Sequence, residues 1–305
     1  MTDRHPSLSP PLRVAVIGLG PMGQNHVRAW QRVPGALLTA VVDTHAERVA
    51  TVMRETGCTS VATSDDLIGI VDAVSIATPA DTHDQVAAPL LRAGVHCLIE
   101  KPLATTPDGC AAIAAAAEAG GAVAQVGHIE RFNPAIAALQ ARLNAPLAAC
   151  KITARRLNPA SGRAIALDVV SDLMSHDIDI VLALKKAVPV TVSAERHGPE
   201  SVTACLSFAD GGSATLTADR DAQARVRDFV IETSVHRFSV DFAARTMSAD
   251  DTMQVVDHSR DALTLQLTSF AEACRAHRTP DASVAAARDV MNVVWRIHKA
   301  LGDAA

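Results

Sequence analysis

Three glycines near the start of the chain have the spacing that a nucleotide-binding turn requires. Gly18, Gly20 and Gly23 fit the pattern G-x-G-x-x-G, in which one glycine makes the tight turn, the next lets backbone approach a pyrophosphate, and the third packs helix on strand. Asp43 lies about twenty residues beyond the last glycine, where a carboxylate grips the ribose 2′-hydroxyl of NAD. The pattern predicts a dinucleotide site, although glycine-rich turns that bind nothing can share the spacing.

Asp43 also bears on the choice between NAD and NADP. A carboxylate repels a 2′-phosphate, and the three residues that follow, Thr44, His45 and Ala46, include no arginine that would accommodate one. We therefore expect NAD and regard NADP as the less favoured cofactor. Arg48 lies one helical turn further along and keeps NADP open as an alternative.

Acid–base chemistry is possible at two other places. Lys101 follows an apolar strand, and Asp172 and His176 are four apart on a predicted helix, which puts carboxylate and imidazole on one face. A lysine at a strand end is often simply solvated, and the Asp–His pair could be a metal pair or a surface ion pair. No third His or Cys at recognisable spacing joins the pair, so we predict no metal site.

Apolar strands and helices alternate through the first part of the chain. This alternation predicts an α/β Rossmann fold, a doubly wound parallel sheet whose ligands collect at the carboxyl ends of the strands. We predict the strands at residues 13–17, 36–42, 73–77, 96–99 and 122–126. Their ends supply the glycine turn, Asp43, Thr78-Pro79, Glu100-Lys101-Pro102 and Gly127-His128.

From about residue 128 the period of two typical of strands takes over. We expect an α+β domain with a large, mainly antiparallel open sheet, helices on one face, and Asp210-Gly211-Gly212 as a hairpin turn. The other face needs a cover, which favours a homodimer or homotetramer through the open sheet. Helices are predicted at 134–143 and 171–184, a lid-like loop at 157–167, and strands at 148–155, 190–196, 202–208, 213–218, 229–234, 237–242 and 253–256.

The predicted domains are a flexible tail over residues 1–11, a dinucleotide-binding Rossmann domain over 12–127, a substrate and oligomerisation domain over 128–280, and a C-terminal helix over 281–305. The net charge of −5 argues against general affinity for nucleic acid or anionic membrane. Six scattered cysteines without a C-x-x-C pair are typical of reduced thiols, so we expect a cytoplasmic protein. No apolar stretch approaches the roughly eighteen residues of a membrane span.

Taken together, these motifs resemble the Gfo/Idh/MocA family of NAD(P)-dependent sugar oxidoreductases. The resemblance rests on Gly18-Leu-Gly-Pro-Met-Gly23 with His26, Ala77-Thr-Pro79, Glu100-Lys-Pro102 and Asp172-x-x-x-His176, in this order. It implies that Lys101, Asp172 and His176 are catalytic. The cofactor-side residues it implies are Gly18, Gly20, Pro21, Met22, Gly23, Asp43, Thr78, Pro79, His83, Glu100 and Lys101. Residues 126–134 and 172–179 look most like the UDP-N-acetylglucosamine 3-dehydrogenase branch.

The chemistry implied is hydride transfer from a ring C–H to NAD+ while a base takes the hydroxyl proton. A lysine would need its pKa lowered by about three units to act near pH 7, at a cost of roughly 4 kcal/mol, whereas a histidine already titrates near 6.5. We therefore predict His176 as the base, Lys101 as the group that polarises the oxygen, and Asp172 as the group that orients the imidazole or completes a proton relay. The reverse assignment stays open, because burial and a nearby cation both lower a lysine pKa.

The substrate would be a sugar or nucleotide sugar. We predict that Arg131, Asn133, Arg155 and Arg163 bind it, because planar guanidinium groups suit a diphosphate. Arginines of this kind are also common in surface ion pairs, and Asn133 before Pro134 could simply cap a helix. The alternatives to nucleotide-sugar oxidation are a dehydrogenase of a free polyol such as inositol and a non-catalytic dinucleotide-sensing regulator.

Overall fold

The structure is a computed structural model that describes residues 10–143, 147–160 and 167–303. Within them, residues 10–126 with 263–283 form one compact unit, and residues 127–262 with 284–303 form a second. In the described residues, no helix has the length and apolar character needed to cross a bilayer. Arg163, most of the predicted lid at 157–167 and most of the predicted tail lie outside the described residues.

The first unit is built on a six-stranded parallel sheet. Its strand order, β3-β2-β1-β4-β5-β6, is the 3-2-1-4-5-6 order of the Rossmann fold. The strands are β1 (Leu12–Ile17), β2 (Ala36–Val42), β3 (Thr59–Ser60), β4 (Ala73–Ile76), β5 (His96–Ile99) and β6 (Ala124–Val126), and the helices that connect them are α1 (Pro21–Trp30), α2 (Ala46–Thr56), α3 (His83–Arg92) and α4 (Pro107–Gly120). The predicted parallel sheet is confirmed.

Strand register gathers the predicted cofactor residues at one edge of this sheet. Ile17, the last residue of β1, pairs with Val42 at the end of β2 and with Ile76 at the end of β4, and Ile76 pairs with Ile99 at the end of β5. Since all four strands run in the same direction, the segments that follow them leave the sheet at the same edge. These segments carry the glycine turn, Asp43, Thr78 and Glu100.

Helix α7 (Ala262–Ala276) packs on the first unit, although it follows the second sheet in the chain. The helices of the second unit are α5 (Pro134–Gln140), α6 (Ser175–Lys185) and α8 (Val284–Leu301). The Phe270 ring meets the edge of Trp30 with 6.3 Å between centroids, and Arg275 donates to the carbonyl of Gly35 at 2.7 Å. Sequence patterning missed α7 and assigned residues 128–280 to the second domain, whereas 263–283 belong with the first unit. An apolar stripe on a helix does not specify which sheet the helix packs on.

The second unit contains an eight-stranded sheet of order β14-β13-β12-β11-β7-β10-β9-β8, with all neighbours antiparallel except β7 and β10. The strands are β7 (Lys151–Leu157), β8 (Thr191–Gly198), β9 (Ser201–Ser207), β10 (Ser213–Asp219), β11 (Val226–Glu232), β12 (Arg237–Asp241), β13 (Thr246–Ala249) and β14 (Thr252–Met253). The mainly antiparallel sheet and the turn at 210–212 are confirmed. Sequence patterning missed β13, and the strand predicted at 253–256 is only the short β14.

The two faces of this sheet differ sharply. In β7, Ile152, Ala154 and Arg156 are buried, whereas Lys151, Thr153 and Arg155 between them are exposed. Helices α6 and α8 pack over the buried face. Because side chains alternate between faces along a strand, one register serves both a helix-covered core and a polar open surface.

The helix predicted at 171–184 has a discontinuity in it. Residues Val170–Met174 form a π-helical turn, and the α-helical α6 begins only at Ser175. The Asp168 carboxylate accepts hydrogen bonds from the backbone N–H groups of Val170 at 2.8 Å and Ser171 at 3.0 Å, which fixes the start of the turn. Such π-turns occur most often at functional sites, and this one carries Asp172.

Candidate active site

The glycine turn is built from three residues with different steric needs. Gly18 has φ +85°, and a Cβ there would lie 2.7 Å from the Ala77 carbonyl oxygen. At Gly23 a Cβ would lie 1.8 Å from the Gly18 carbonyl oxygen, whereas at Gly20 it would meet nothing within 4 Å. The fold itself therefore requires two of the glycines. Gly20 leaves open space at the start of α1, whose first residues are Pro21 and Met22.

Asp43 fastens this turn to the end of β2. Its Oδ2 accepts a hydrogen bond from the Leu19 backbone at 2.5 Å, its Oδ1 accepts one from the His45 backbone at 2.7 Å, and its side chain is 6% exposed. Burial disfavours its charge, but these hydrogen bonds, together with His45 and Arg48, outweigh burial and hold the pKa of Asp43 below its ordinary value. Arg48 Nη1 lies 3.9 Å from Oδ2. The ionised carboxylate thus lies beside the glycine turn.

His83 is buried between two loops of the first unit. It is 1% exposed, and its Nδ1 and Nε2 face the carbonyl oxygens of Pro102 at 2.9 Å and Thr78 at 3.1 Å. Both ring nitrogens are thus directed at protein carbonyls, which gives His83 a structural role, and a direct cofactor contact through its ring stays a prediction. The ring ties the Thr78-Pro79 loop to the segment after Lys101, where the Lys101–Pro102 peptide is cis.

A buried chain of hydrogen bonds ends at the residue before Lys101. Trp30 Nε1 donates to Ser75 Oγ at 2.8 Å, Ser75 Oγ lies 3.1 Å from His26 Nδ1, and His26 Nε2 lies 2.9 Å from Glu100 Oε1. Burial opposes ionisation of Glu100, but the hydrogen bond and charge of His26, with Lys101, hold the pKa of Glu100 below its usual range. Glu100 Oε2 accepts from the Lys101 backbone N–H at 3.2 Å. The chain fixes the backbone from which the lysine side chain projects.

In the second unit, the Asp172 carboxylate faces an arginine that sequence patterning missed. Arg220 directly follows β10, and its Nη1 lies 3.5 Å from Asp172 Oδ2. Glu200 Oε2 accepts from Arg220 Nε at 2.6 Å, and the Leu167 carbonyl accepts from Nη2 at 2.8 Å. Two groups, the Glu200 carboxylate and the Leu167 carbonyl, therefore position this guanidinium against the Asp172 carboxylate. Its partners come from elements distant in sequence, so no local pattern could have found it.

Beyond His176, α6 carries two acids that bind arginines. Arg131 donates from Nε and Nη2 to Asp179, with a shortest distance of 2.6 Å, and Arg156 donates to Asp177 at 2.8 Å and to Glu130 at 2.9 Å. Asp177 and Asp179 are 2% and 1% exposed. Burial disfavours the charge of Arg156, but the two carboxylates outweigh it and raise its pKa above the ordinary value. The Arg156 pair anchors α6 to β7, and the Arg131 pair anchors α6 to the short helical turn Ile129–Phe132.

Three of the four residues predicted to bind substrate have protein partners, and their contact with substrate stays a prediction. Arg131 is engaged by Asp179, and Arg155 lies on the open face of the sheet, paired with Asp228 of β11. Asn133 is 5% exposed, and its Oδ1 caps α5 by accepting from the Ala135 backbone at 3.1 Å. Protein groups therefore occupy all three predicted residues, and the fourth, Arg163, lies outside the described residues.

Comparison with known proteins places the chain in a family. The sequence model of the GFO_IDH_MocA family, described as an oxidoreductase family with an NAD-binding Rossmann fold, matches residues 12–128. UDP-N-acetylglucosamine 3-dehydrogenase of Acidithiobacillus ferrooxidans is 33% identical over 95% of this chain and 97% of its own length. The chain belongs to the Gfo/Idh/MocA family. It is an NAD(P)-dependent oxidoreductase that acts on CH–OH donors.

Solved structures and a second sequence relative agree with this membership. A structure of the Acidithiobacillus ferrooxidans enzyme matches with a TM-score of 0.88, covering 95% of this chain and 99% of that one. An inositol 2-dehydrogenase/D-chiro-inositol 3-dehydrogenase of Shouchella clausii is 34% identical, but over 56% of this chain and 52% of its own. Levoglucosan dehydrogenase, at 20% identity and a TM-score of 0.83, shares the fold.

Proposed function

We propose that this protein oxidises a secondary hydroxyl of a sugar with NAD, and that its substrate is UDP-N-acetylglucosamine, oxidised at C3, or a related nucleotide sugar. One observation carries this proposal: the similarity to a UDP-N-acetylglucosamine 3-dehydrogenase spans 95% of the chain, including the second unit. The similarity to the inositol dehydrogenase covers 56%. A substrate domain is where related dehydrogenases differ, so similarity through that domain favours the nucleotide sugar.

The glycine turn suits a dinucleotide. The open space at Gly20 is where a pyrophosphate approaches backbone N–H groups at a helix N-terminus. The ionised Asp43 would accept a hydrogen bond from a ribose hydroxyl and repel a 2′-phosphate, which supports NAD over NADP. The ion pair between Asp43 and Arg48 weakens that preference. When bound, the nicotinamide supplies the hydride acceptor.

The proton is handled by side chains. We assign His176 as the base that accepts the hydroxyl proton, and Lys101 as the cation that polarises the oxygen and stabilises developing alkoxide. Asp172 orients the His176 imidazole or completes a proton relay, and Arg220 positions the Asp172 carboxylate. The combination of Lys101, Asp172 and His176 argues against a non-catalytic regulator.

Turnover with matched substrates tests the proposal. NADH formation is measured with UDP-N-acetylglucosamine, free N-acetylglucosamine and myo-inositol, and each is repeated with NADP. We expect the nucleotide sugar with NAD to give the highest kcat/KM, and equal rates without the nucleotide would sink the substrate assignment. Lys101→Ala should abolish oxidation with little effect on the NAD Kd. Its matched control is Lys151→Ala, an exposed lysine at the start of β7.

A free polyol is the second candidate, supported by the inositol dehydrogenase relatives. It requires that myo-inositol be oxidised at least as efficiently as the nucleotide sugar in the same assay. UDP would then inhibit only weakly. This outcome would change the proposed substrate to a free polyol and would not affect the assignments of the catalytic residues.

For assembly, we propose a homodimer or homotetramer that covers the open face of the second sheet. That face presents β-strand hydroxyls such as Thr203 and Thr217, which bond each other at 3.2 Å, and, on the far side of β7, half-buried valines of β11 such as Val230. Light scattering on a sizing column should give a multiple of 31.9 kDa. A monomer at micromolar concentration would contradict it.

We also propose a cytoplasmic location. All six cysteines are free thiols, and all but Cys205 are buried, as expected where disulfides do not form. Cell fractionation with an antibody to the native chain tests this assignment, and recovery in an extracellular fraction would contradict it.

A further inference from the structure

One edge of the second sheet brings together the predicted catalytic segment and the ends of three strands. Leu157, the last residue of β7, pairs with Asp219 at the end of β10 and with Val226 at the start of β11. Arg220 follows β10 there and binds Asp172 of the π-helical turn. A charged side chain at the start of β11 therefore lies at the same edge as the Asp172 segment.

Arg227, the second residue of β11, has an unusual neighbour at this edge. It stands directly opposite Arg156 across the antiparallel pair of β11 and β7, and directly opposite side chains of such a pair lie about 5 Å apart at Cβ. Like charges in that arrangement are destabilising. The carboxylates of Asp177 and Glu130 bind Arg156, so they accept hydrogen bonds from Arg156 and not from Arg227.

The charge of the Arg227 guanidinium is only partly compensated by the nearby acids Glu130 and Asp177. Its Nε is buried and has no hydrogen-bond partner, and no carboxylate among the described residues forms an ion pair with it. Burial, then the positive charges of Arg156 and Arg225, outweigh the carboxylates of Glu130 and Asp177 and lower the pKa of Arg227 below the ordinary arginine value. A partly buried cation in this state gains from an anion that contributes oxygen acceptors.

We propose that Arg227, with Arg225 beside it, binds the diphosphate of the nucleotide-sugar substrate. This inference rests on the proposed function and takes it further, since it assigns a residue to the recognition of the nucleotide. Arg131 and Arg155, which sequence patterning favoured for this role, are already paired with Asp179 and Asp228. The planar fork of Arg227 can donate two parallel hydrogen bonds to phosphate oxygens.

Binding of UDP, measured by calorimetry without cofactor or turnover, tests the assignment. Arg227→Gln should raise the UDP Kd about 10- to 100-fold, as expected for loss of charge-assisted hydrogen bonds, and should leave any binding of uridine unchanged. The matched control is Arg237→Gln, an exposed arginine of β12 that pairs with Glu232 and Asp251. This control should keep the wild-type Kd. Equal Kd values for wild type and Arg227→Gln, or no UDP binding by the wild type, would overturn the proposal.

A second variant protects the test against misfolding. Arg227→Lys keeps the charge without the fork, so it should recover part of the lost affinity if phosphate is the ligand. If Arg227→Gln unfolds, Arg227→Lys with wild-type UDP affinity overturns the diphosphate assignment and a raised Kd supports it.

Kinetics separate this proposal from the proposed function. In Arg227→Gln, we expect KM for UDP-N-acetylglucosamine to rise about 10- to 100-fold with kcat within a few-fold of wild type, because uniform binding is lost. Wild-type turnover of the nucleotide sugar with UDP affinity unaffected by the substitution would defeat the assignment of Arg227 alone. Conversely, Arg227-dependent UDP binding without dehydrogenase activity would defeat the proposed function alone.

Discussion

Replacing Gly20 by alanine should separate cofactor binding from folding. Gly20 has φ −62° and ψ −175°, which alanine adopts without strain, and the added Cβ would meet no protein atom within 4 Å. We therefore expect the free energy of unfolding without cofactor to change by less than about 1 kcal/mol. The Cβ would instead occupy the space into which a pyrophosphate approaches, so the NAD Kd should rise at least tenfold.

Gly23→Ala is the matched comparison within the same turn. Its Cβ would lie 1.8 Å from the Gly18 carbonyl oxygen, and backbone on both sides of the contact must move. The expected loss of stability is about 3 kcal/mol or more, at the upper end of overpacking effects. The same chemical change three residues apart should thus mainly destabilise the fold at Gly23 and mainly weaken cofactor binding at Gly20.

Denaturant unfolding with and without NAD measures both effects. At a hundred times its Kd, NAD should stabilise the wild type by about 2.7 kcal/mol, and a tenfold weaker Kd reduces this to about 1.4 kcal/mol. Gly20→Ala with full NAD-dependent stabilisation would refute the interpretation of Gly20 as the pyrophosphate contact. Wild-type stability of Gly23→Ala would refute the steric reasoning for the whole turn.

Three other predictions concern charges. Arg156→Met should destabilise the second unit by about 3–5 kcal/mol, because Asp177 is left buried without its partner; urea unfolding measures this, and a change below 1 kcal/mol would contradict the role of the pair. Hydrogen bonding to Asp168 raises the pKa of His298, so this contact should stabilise below about pH 6.5 and fade as pH rises through the raised value. His298→Asn should remove that pH dependence, which is worth under about 1 kcal/mol at this partly exposed site. Melting curves recorded between pH 5 and 8 measure the effect, and a profile identical to that of the wild type would exclude the contact. Asp43→Asn should lower the ratio of kcat/KM with NAD to that with NADP at least several-fold, whereas an unchanged ratio would mean that the carboxylate serves only to hold the turn.

Local sequence determined much of the first unit. Gly18, Gly20, Gly23 and Asp43 could be identified because a tight turn, a close approach and a strand-end carboxylate each restrict the residue type at a set spacing. Strand positions followed from short apolar runs between helices, and parallel order followed from their alternation. These constraints act within one βαβ unit, so they can be recognised from the amino-acid sequence alone.

The tertiary structure decided how the charges are paired. Arg131, Arg155 and Arg156 are alike in sequence, yet one binds a buried acid of α6, one faces the open side of the sheet, and one lies beneath the helices. For Arg155 and Arg156, strand alternation and cross-strand register set these outcomes, and a shift of one residue would exchange the faces. Register also brings Arg220 to Asp172 and places Arg227 against Arg156. Register depends on contacts between segments far apart in the chain, so only the tertiary structure could decide these pairings.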